Sequence, residues 1–285
     1  MRREDFANDP TTEAMIMLGS NAKKRIIFLE GDADFTFWSF HLKFEDFNAS
    51  ALVVEGKESV RQCVQDASND FSERVLGLVD RDFDPEIRYN SNGFLGVITS
   101  THNDLELDVL EHTDFSRSLV TSLSQTKVDK SGVSAKDLID LSITVGATLG
   151  ALRKVNKDKA LGLDFHCYKI KSRDISLEKI PKGDWFDANS IYRKYISDKK
   201  NSDKISNADE LIEFCEEEIR LACGEMHLCR GHDVTLVISI MHNIFRKSGR
   251  SSRNGDDIND LLLGHITTIE ASAMPIFSDL VTWLE

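Results

Sequence analysis

The sequence lacks several features that would assign it to common protein classes. No apolar run approaches the length that a membrane-spanning helix needs, so we expect a cytoplasmic protein. It has no Gly-x-x-x-x-Gly-Lys-Ser/Thr loop, so the chain is not expected to hydrolyse ATP itself. It also has no net positive charge. The value of -13 at pH 7 argues against a broad basic face that coats nucleic acid, although a nuclease needs only a local path of positive charge.

Paired cysteines are missing too. The five cysteines form an odd count without a Cys-x-x-Cys knuckle, which favours reduced thiols in a reducing compartment. One alternative is a zinc site in a segment that is predicted to be helical. Its ligands would be Cys223, Cys229, His227 and His232.

Two short stretches are present that share one design, an apolar run that ends in acid. Arg25–Leu29 leads into Glu30, and Val75–Val79 leads into Asp80. Neither run alternates apolar with polar residues, which indicates strands buried on both faces. In an open parallel sheet the carboxyl ends of the strands border the crevice where ligands bind. We therefore expect the acids that follow the two runs to lie close together.

These acids predict a cation site. Glu30, Asp80, Asp82 and Asp84 would repel one another by roughly 1 kcal/mol per pair in water at 4 Å, and by more in a partly buried site. Mg²⁺ takes oxygen ligands and is shared between carboxylates and substrate phosphates. Asp80 and Asp82, two residues apart on an extended chain, would present their side chains to one face and reach one metal. The alternative is a surface acidic turn before Pro85.

The order of elements predicts an α/β fold with a doubly wound parallel sheet. The expected strands are residues 25–30, 51–55, 75–80 and 94–99, separated by helices at 34–47 and around 60–71. The second helix is predicted to bury one stripe of residues, Val60, Cys63, Val64, Ala67 and Phe71. From residue 113 onward the chain is predicted to be mainly helical. A capping box of Ser134 and Asp137 is expected to start one helix and Asp233 to cap another, and a further helix is predicted at 257–274. We therefore expect an α/β domain over residues 1–112, which includes an N-terminal helix, and a helical domain docked on it over residues 113–285.

The residues at the two strand ends resemble the Toprim family of nucleases, primases and topoisomerases. That family pairs a strand ending in Glu-Gly with a later strand ending in Asp-x-Asp, which here are Glu30-Gly31 and Asp80-Arg81-Asp82. Asp34 fits the pattern Glu-Gly-x-x-Asp, and Asp84 stands where some members carry a third acid. The resemblance covers about residues 23 to 112. It implies a Rossmann-like Toprim core with Glu30, Asp80 and Asp82 as catalytic residues and metal ligands.

A second strand also ends in Glu-Gly, at Glu55-Gly56. Only 25 residues separate Glu55 from Asp80, whereas 50 separate Glu30 from Asp80. The longer interval holds the extra strand and two helices that the Toprim order requires. Glu30 is therefore preferred, with Glu55 and Lys57 expected to border the same crevice.

The resemblance narrows to the Toprim-like effectors of anti-phage systems that pair with an ABC-type ATPase, as in PARIS systems. Outside the strand ends it rests on Thr101-His-Asn-Asp-Leu-Glu106 and Arg230-Gly-His-Asp233. It implies a Mg²⁺-dependent toxic endonuclease, with Mn²⁺ as a possible substitute. Its substrate would be transfer RNA or DNA, its partner an ABC-type ATPase, and its active form a homodimer. The sequence does not indicate the tyrosine that a topoisomerase would need, and it lacks primase motifs, which leaves metal-assisted phosphodiester hydrolysis as the expected chemistry. The rival hypothesis is a Toprim-like binding or regulatory subunit without catalytic activity.

The remaining site residues each have a structural alternative. Glu106 is a candidate ligand of a metal, and Asp104 a weaker one, but acids at a helix start also serve as caps. Four further residues join Asp34 as candidates to contact substrate. They are Lys57, His232, Lys169 and Lys171. A strand is predicted at 163–170, and a strand-like segment from Lys169 to Arg173 would present Lys169, Lys171 and Arg173 on one face. His102 is a further candidate, or a hydrogen-bonded loop residue.

Overall fold

The computed structural model of the protein describes residues 9–91, 94–176, 185–222 and 224–285. The chain forms two compact units. The first comprises Met1–Thr113 together with Ile266–Glu285, and the second comprises Asp114–His265. The expected division near residue 112 did not include the return of the last twenty residues to the first unit.

The first unit contains a four-stranded parallel sheet. Its strands are β1 Arg25–Leu29, β2 Ala49–Val53, β3 Val75–Val79 and β4 Val97–Thr99, in the order β2-β1-β3-β4. Strands alternate with helices along the chain, which confirms the predicted α/β class. The last strand begins at Val97 rather than at the predicted residue 94.

Helices cover both faces of the sheet, which is why the strands carry continuous apolar runs. Helices α1 Pro10–Ser20 and α3 Lys57–Phe71 pack on one side, around Ile26 and Phe28. The predicted buried stripe of α3 is confirmed at Val60, Cys63, Val64 and Ala67, whereas its fifth member, Phe71, is only partly buried. Gly77 allows this close packing, because a Cβ there would lie 2.7 Å from a methyl of Val60.

The opposite face carries α2 Asp32–His41 and α13 Pro275–Leu284. These two helices meet at Trp38 and Phe277, whose ring centroids lie 6.1 Å apart. The predicted helix at 34–47 is wrong beyond His41, because Leu42 is extended and a separate 3-10 turn forms at Phe44–Phe47. Two more helices complete this unit. They are α4 Leu105–His112 and α12 Thr268–Ala271.

The second unit is helical. Its helices are α5 Phe115–Val120, α6 Gln125–Ser131, α7 Ala135–Asp158, α8 Ala188–Ile196, α9 Ala208–Leu221, α10 Gly231–Phe245 and α11 Gly255–Leu263. The longest, α7, begins with the predicted capping box of Ser134 and Asp137. Gly150 on α7 lets the chain at Leu228 pass directly against the helix, since a Cβ there would lie 1.5 Å from the Leu228 carbonyl oxygen.

Two predicted elements of the C-terminal half are wrong. Residues 163–170 form irregular backbone with a turn, not a strand. The predicted helix at 257–274 is two helices, because α11 ends at Leu263 with Gly264 as its C-cap, and Thr267 starts α12 with its own capping box to Glu270. This break lies at the boundary between the two units.

Candidate active site

The strand order creates a switch point between β1 and β3. The chain leaves β1 toward β2 on one side and leaves β3 toward β4 on the other, so the two outgoing connections diverge. In open α/β sheets a ligand crevice forms outside the carboxyl ends of the strands at such a point. Glu30 and Asp80 are the first residues after these two strands. The topology therefore brings them to the same crevice.

A direct hydrogen bond joins the two strand ends. The backbone N–H of Asp80 donates to Glu30 Oε1 at 2.6 Å. Burial raises the pKa of Glu30, and the Asp82 carboxylate adds to this rise, against the opposing effects of the Asp80 hydrogen bond, Lys57 and Arg61. The rival Glu55 follows β2, which β1 separates from β3, and its side chain is exposed. The geometry thus favours Glu30 over Glu55.

Several carboxylates surround Asp80. One of its oxygens accepts the N–H of Leu105 at 3.2 Å, at the start of α4. Burial raises the pKa of Asp80 well above its ordinary value, and the charges of Asp104, Asp34 and Glu106 raise it further. The structure therefore brings together acids from after β1, after β3 and from the start of α4.

Asp34 belongs to the same group of acids. It lies in the first turn of α2, three residues after Gly31. Burial, followed by the charges of Glu106 and Glu30, raises the pKa of Asp34 to about 7, although a hydrogen bond from the Gly31 N–H opposes the rise. Such crowding of partly buried carboxylates is unfavourable unless protons or cations neutralise it.

Asp104 and Glu106, at the start of α4, lie close to Asp34 and Asp80. Asp104 caps α4 by accepting the N–H of Leu107 at 3.2 Å, which is the capping alternative expected from the sequence. Glu106 is buried, and its charge acts on both Asp34 and Asp80. We call Glu30, Asp34, Asp80, Asp104 and Glu106 the acidic cluster.

The loop after β3 does not continue as extended chain. Asp82 and Phe83 both adopt left-handed backbone, with φ of 50° and 66°. The expectation that Asp80 and Asp82 share one face through strand alternation is therefore wrong, because the extended segment ends before Asp82. Consecutive left-handed residues other than glycine are unfavourable and persist where neighbouring groups hold them.

Asn103 holds this loop in place. Its carbonyl oxygen accepts the N–H of Asp82 at 3.0 Å, and its side-chain oxygen accepts the N–H of Phe83 at 2.8 Å. Asn103 is fully buried. Asn103 was not predicted from the sequence, although it lies between His102 and Asp104, which were both candidates.

Asp82 and Asp84 face basic side chains rather than the acidic cluster alone. Lys57 Nζ lies 2.7 Å from Asp84 Oδ2 and 3.9 Å from Asp82 Oδ2, and it donates to the carbonyl of Arg81 at 2.8 Å. Arg61, one turn further along α3, lies 3.3 Å from Asp84. Lys57 is thus at the crevice, as expected. There it stabilises the loop of residues 80–84 after β3, which we call the acidic loop. Its helical neighbour Arg61 was not singled out from the sequence, although the i, i+4 spacing places both on one helix face.

A second layer supports the crevice from below. Both oxygens of the fully buried Asp108 accept backbone N–H groups, from Thr101 at 2.8 Å and His102 at 2.7 Å. His102 is buried, with Nε2 3.1 Å from Glu111 Oε2, which agrees with its expected alternative as a hydrogen-bonded loop histidine. Asp108 was not a candidate from the sequence, yet it fixes the segment that carries Asn103 and Asp104.

The remaining candidates belong to the second unit. The side chains of His232, Lys169 and Lys171 are exposed. The expectation that a strand presents both lysines on one face is wrong, because the segment is irregular and a 3-10 turn follows at Ser172–Asp174. Their contact with a substrate stays a prediction.

Asp233 stands inside the first turn of α10 rather than at its N-cap, which is Arg230. Its carboxylate instead pairs with Arg153, through Nε at 3.0 Å and a second guanidinium nitrogen at 3.1 Å. The expected capping role of Asp233 is therefore wrong, and the residue joins α10 to α7.

The zinc alternative gains nothing from the described residues. Cys229 is buried, and its thiol donates to the carbonyls of Ile143 and Glu225 at 3.2 and 3.3 Å. Cys223 lies outside the described residues. Over the described ranges, no group of three or more His, Cys, Asp or Glu side chains could hold a metal ion in the arrangement that they have, and this applies to the acidic cluster as well.

Comparisons with known proteins leave the family open. No family model and no curated protein matches this chain. Within the part of the chain that the structure describes, every helix is too short or too polar to cross a bilayer.

The acidic cluster nevertheless fits a hard cation by the chemistry of its donors. Glu30 and Asp80 each use one carboxylate oxygen for a backbone N–H, which leaves a second oxygen on each for another partner. Asp34 and Asp80 also line a cavity of about 10 Å³, roughly the space of one water-sized group. A cation would relieve the mutual repulsion that raises the pKa values of Asp34 and Asp80.

Proposed function

We propose that the protein is a Mg²⁺-dependent phosphodiesterase of the Toprim type. The observation that carries the proposal is the contact between Glu30 and Asp80 at the β1/β3 switch point, within a cluster of carboxylates. Hard divalent cations bound by carboxylates are the usual cofactors of phosphodiester hydrolysis. Mn²⁺, which also takes oxygen ligands, is the expected substitute.

Each acid has a proposed role. Asp80, Asp34 and Glu106 would hold the cation, with Asp82 and Asp84 as the further ligands that the Toprim pattern predicts. Mg²⁺, when bound, would supply Lewis-acid stabilisation of the charge that develops on the phosphate. Glu30 would accept a proton from the attacking water. Its pKa, which burial raises, supports this role because it brings the basicity of Glu30 nearer to that of a general base at neutral pH.

The biological role is proposed from the Toprim resemblance. The protein would act in the cytoplasm as the toxic effector of an anti-phage defence system and cleave transfer RNA or DNA. A partner ABC-type ATPase would control it, and the active form would be a homodimer.

A binding or regulatory subunit is the second candidate, and one observation favours it. Asp84 is ion-paired to Lys57 and Arg61, so two acids of the Toprim pattern, Asp82 and Asp84, face protein cations. In that case the acids would serve to shape a loop that contacts a partner.

Cleavage by the purified protein discriminates between the two candidates. Labelled transfer RNA, single-stranded DNA and duplex DNA are incubated with Mg²⁺ or with EDTA, using wild type and Glu30→Gln. The matched control is Glu55→Gln, since Glu55 also precedes glycine after a strand but is exposed at the edge strand β2.

We expect Mg²⁺-dependent cleavage that Glu30→Gln lowers by more than about a hundredfold, beyond the cost of losing a supporting group at a metal site. Glu55→Gln should keep the wild-type rate. Equal rates in all three proteins, or cleavage that EDTA leaves intact, would contradict the assignment. If the purified chain proves inactive, mapping of new RNA and DNA ends in cells that express wild type or Asp80→Ala, with and without the partner ATPase, tests the same chemistry.

A further inference from the structure

A groove of about 1000 Å³ runs along α3 in the first unit. One wall is a single face of that helix, because its lining residues Arg61, Gln65, Ser68 and Asn69 follow the i, i+4, i+7, i+8 spacing. All four carry hydrogen-bonding groups. The volume is at the upper end for small-molecule pockets, which suits an elongated ligand.

The lining of the groove also includes aromatic residues. Tyr89 and Phe94 form an edge-to-face pair with ring centroids 5.2 Å apart, and both rings are partly exposed. Further along, Trp283 lines the groove beneath Arg25, whose guanidinium carbon lies 5.4 Å from the ring centroid. The groove therefore combines ring faces, amides and two guanidinium groups.

One end of the groove meets the acidic loop. Arg61 lines the groove and also lies 3.3 Å from Asp84, and Asp84 is held by Lys57 at the edge of the crevice. A ligand that follows the α3 wall past Arg61 would thus reach the loop beside Glu30 and Asp80.

We propose that this groove binds a single-stranded nucleic-acid segment adjacent to the phosphodiester that is cleaved. Aromatic rings stack with bases of any sequence, and arginines follow the phosphates. Gln65 and Asn69 offer both donors and acceptors to base edges. The inference rests on the proposed function, because it supplies the substrate class for the same centre.

The charges of the groove set its expected salt dependence. Among its described lining residues the cations are Arg25 and Arg61, and Glu73 is an anion. Arg61 also pairs with Glu58 and Asp84, so two neutralised phosphates are an upper limit. Neutralisation of two phosphates by a protein on a single strand gives a slope of about -1.4 in log K against log salt. Stacking, which is less sensitive to salt, should supply much of the remaining affinity.

Binding is measured by fluorescence anisotropy in EDTA, with labelled single-stranded RNA, single-stranded DNA and the corresponding duplexes. Tyr89→Ala removes a stacking ring, and Gln65→Glu places a negative charge on an exposed helical position of the groove. Gln62→Glu is the matched control, because it adds the same charge to the same helix at an exposed position outside the groove lining. Thermal melts verify that each variant is folded.

We expect single strands to bind more tightly than duplexes, and Tyr89→Ala to lose about tenfold in affinity, as for one lost stacking contact. Gln65→Glu should weaken binding because its added charge repels the phosphates. Gln62→Glu should bind like wild type. Equal affinity of Gln65→Glu and Gln62→Glu, or a preference for duplexes, would overturn the proposal. RNA and DNA arms that differ identify which single strand is preferred, and either preference supports the groove.

Two separate measurements distinguish a failure of groove binding from a failure of the proposed phosphodiesterase activity. Binding in EDTA requires no chemistry, whereas Mg²⁺-dependent hydrolysis of bis(p-nitrophenyl) phosphate by wild type requires no groove. Hydrolysis without single-strand binding would overturn the groove alone. Groove-dependent binding without hydrolysis would support the groove and count against the phosphodiesterase.

Discussion

Removal of the negative charge at Asp34 should stabilise the protein at alkaline pH in the absence of metal. Burial and the neighbouring carboxylates raise the pKa of Asp34 from 3.8 to about 7, so the folded state resists its ionisation. The asparagine side chain in Asp34→Asn keeps an oxygen that can accept the Gly31 N–H. Unlike a carboxyl group, it cannot ionise. The variant therefore lacks the electrostatic cost that the wild type carries above neutral pH.

The size of the effect follows from the shift in pKa. A change of about 3 pH units at about 1.36 kcal/mol per unit gives roughly 4 kcal/mol as an upper limit. Part of the shift comes from the charges of neighbouring carboxylates, Glu30 among them, which vary with pH, so the expected gain is about 2–4 kcal/mol. Because the pKa is raised on folding, the stability that the protonated group contributes is fully present below pH 3.8 and is lost as the pH rises through about 7.

Urea unfolding in EDTA between pH 4 and pH 8 measures this difference. The free energy of unfolding of Asp34→Asn should exceed that of wild type at pH 8, and the two should converge toward pH 4. Asp32→Asn is the control, since Asp32 is exposed in the same first turn of α2 and shares its interaction with the helix dipole. Added Mg²⁺ should stabilise wild type at pH 8 more than Asp34→Asn. A constant difference across the pH range, or the same gain in Asp32→Asn, would refute the reasoning.

Two further substitutions test the supports of the candidate site and of the second unit. Asn103→Ala leaves the N–H of Phe83 without its side-chain acceptor, so it should lower the free energy of unfolding by about 1–3 kcal/mol. Cleavage should fall in parallel. A change in the free energy of unfolding within about 0.5 kcal/mol, as at an ordinary surface position, would contradict this role. Arg153→Lys cannot reproduce the two-pronged contact with Asp233 and should cost about 1–2 kcal/mol in urea unfolding, whereas Lys154→Arg on the same helix should be nearly neutral. Equal effects of these two changes would argue against the importance of the bidentate geometry.

Local sequence patterns predicted the parts of the fold that depend on neighbouring residues. The apolar runs before Glu30 and Asp80 are buried strands because helices cover both of their faces. The spacing along α3 and the capping box at Ser134 likewise depend on contacts within a few residues. These patterns were sufficient to predict that Glu30 and Asp80 lie at one edge of a parallel sheet.

Contacts between distant residues decided the rest. The left-handed backbone of Asp82 and Phe83 depends on Asn103, about twenty positions later, so the acidic loop resembled a simple continuation of β3. The helical periodicity after residue 255 gave no sign that the chain changes unit near Ile266. The pairing of Lys57 with Asp84 required knowledge of how α3 approaches the loop.

The central claim is that Glu30, Asp80 and their neighbouring carboxylates form a site for a divalent cation. Electron paramagnetic resonance of free Mn²⁺ during titration with protein tests it most directly, because bound Mn²⁺ loses the sharp signal of the hydrated ion. We predict saturable binding by wild type that Mg²⁺ competes away, that Asp80→Asn abolishes and that Glu55→Gln preserves. Equal binding by wild type and Asp80→Asn, or no binding by wild type at neutral pH, would contradict the account.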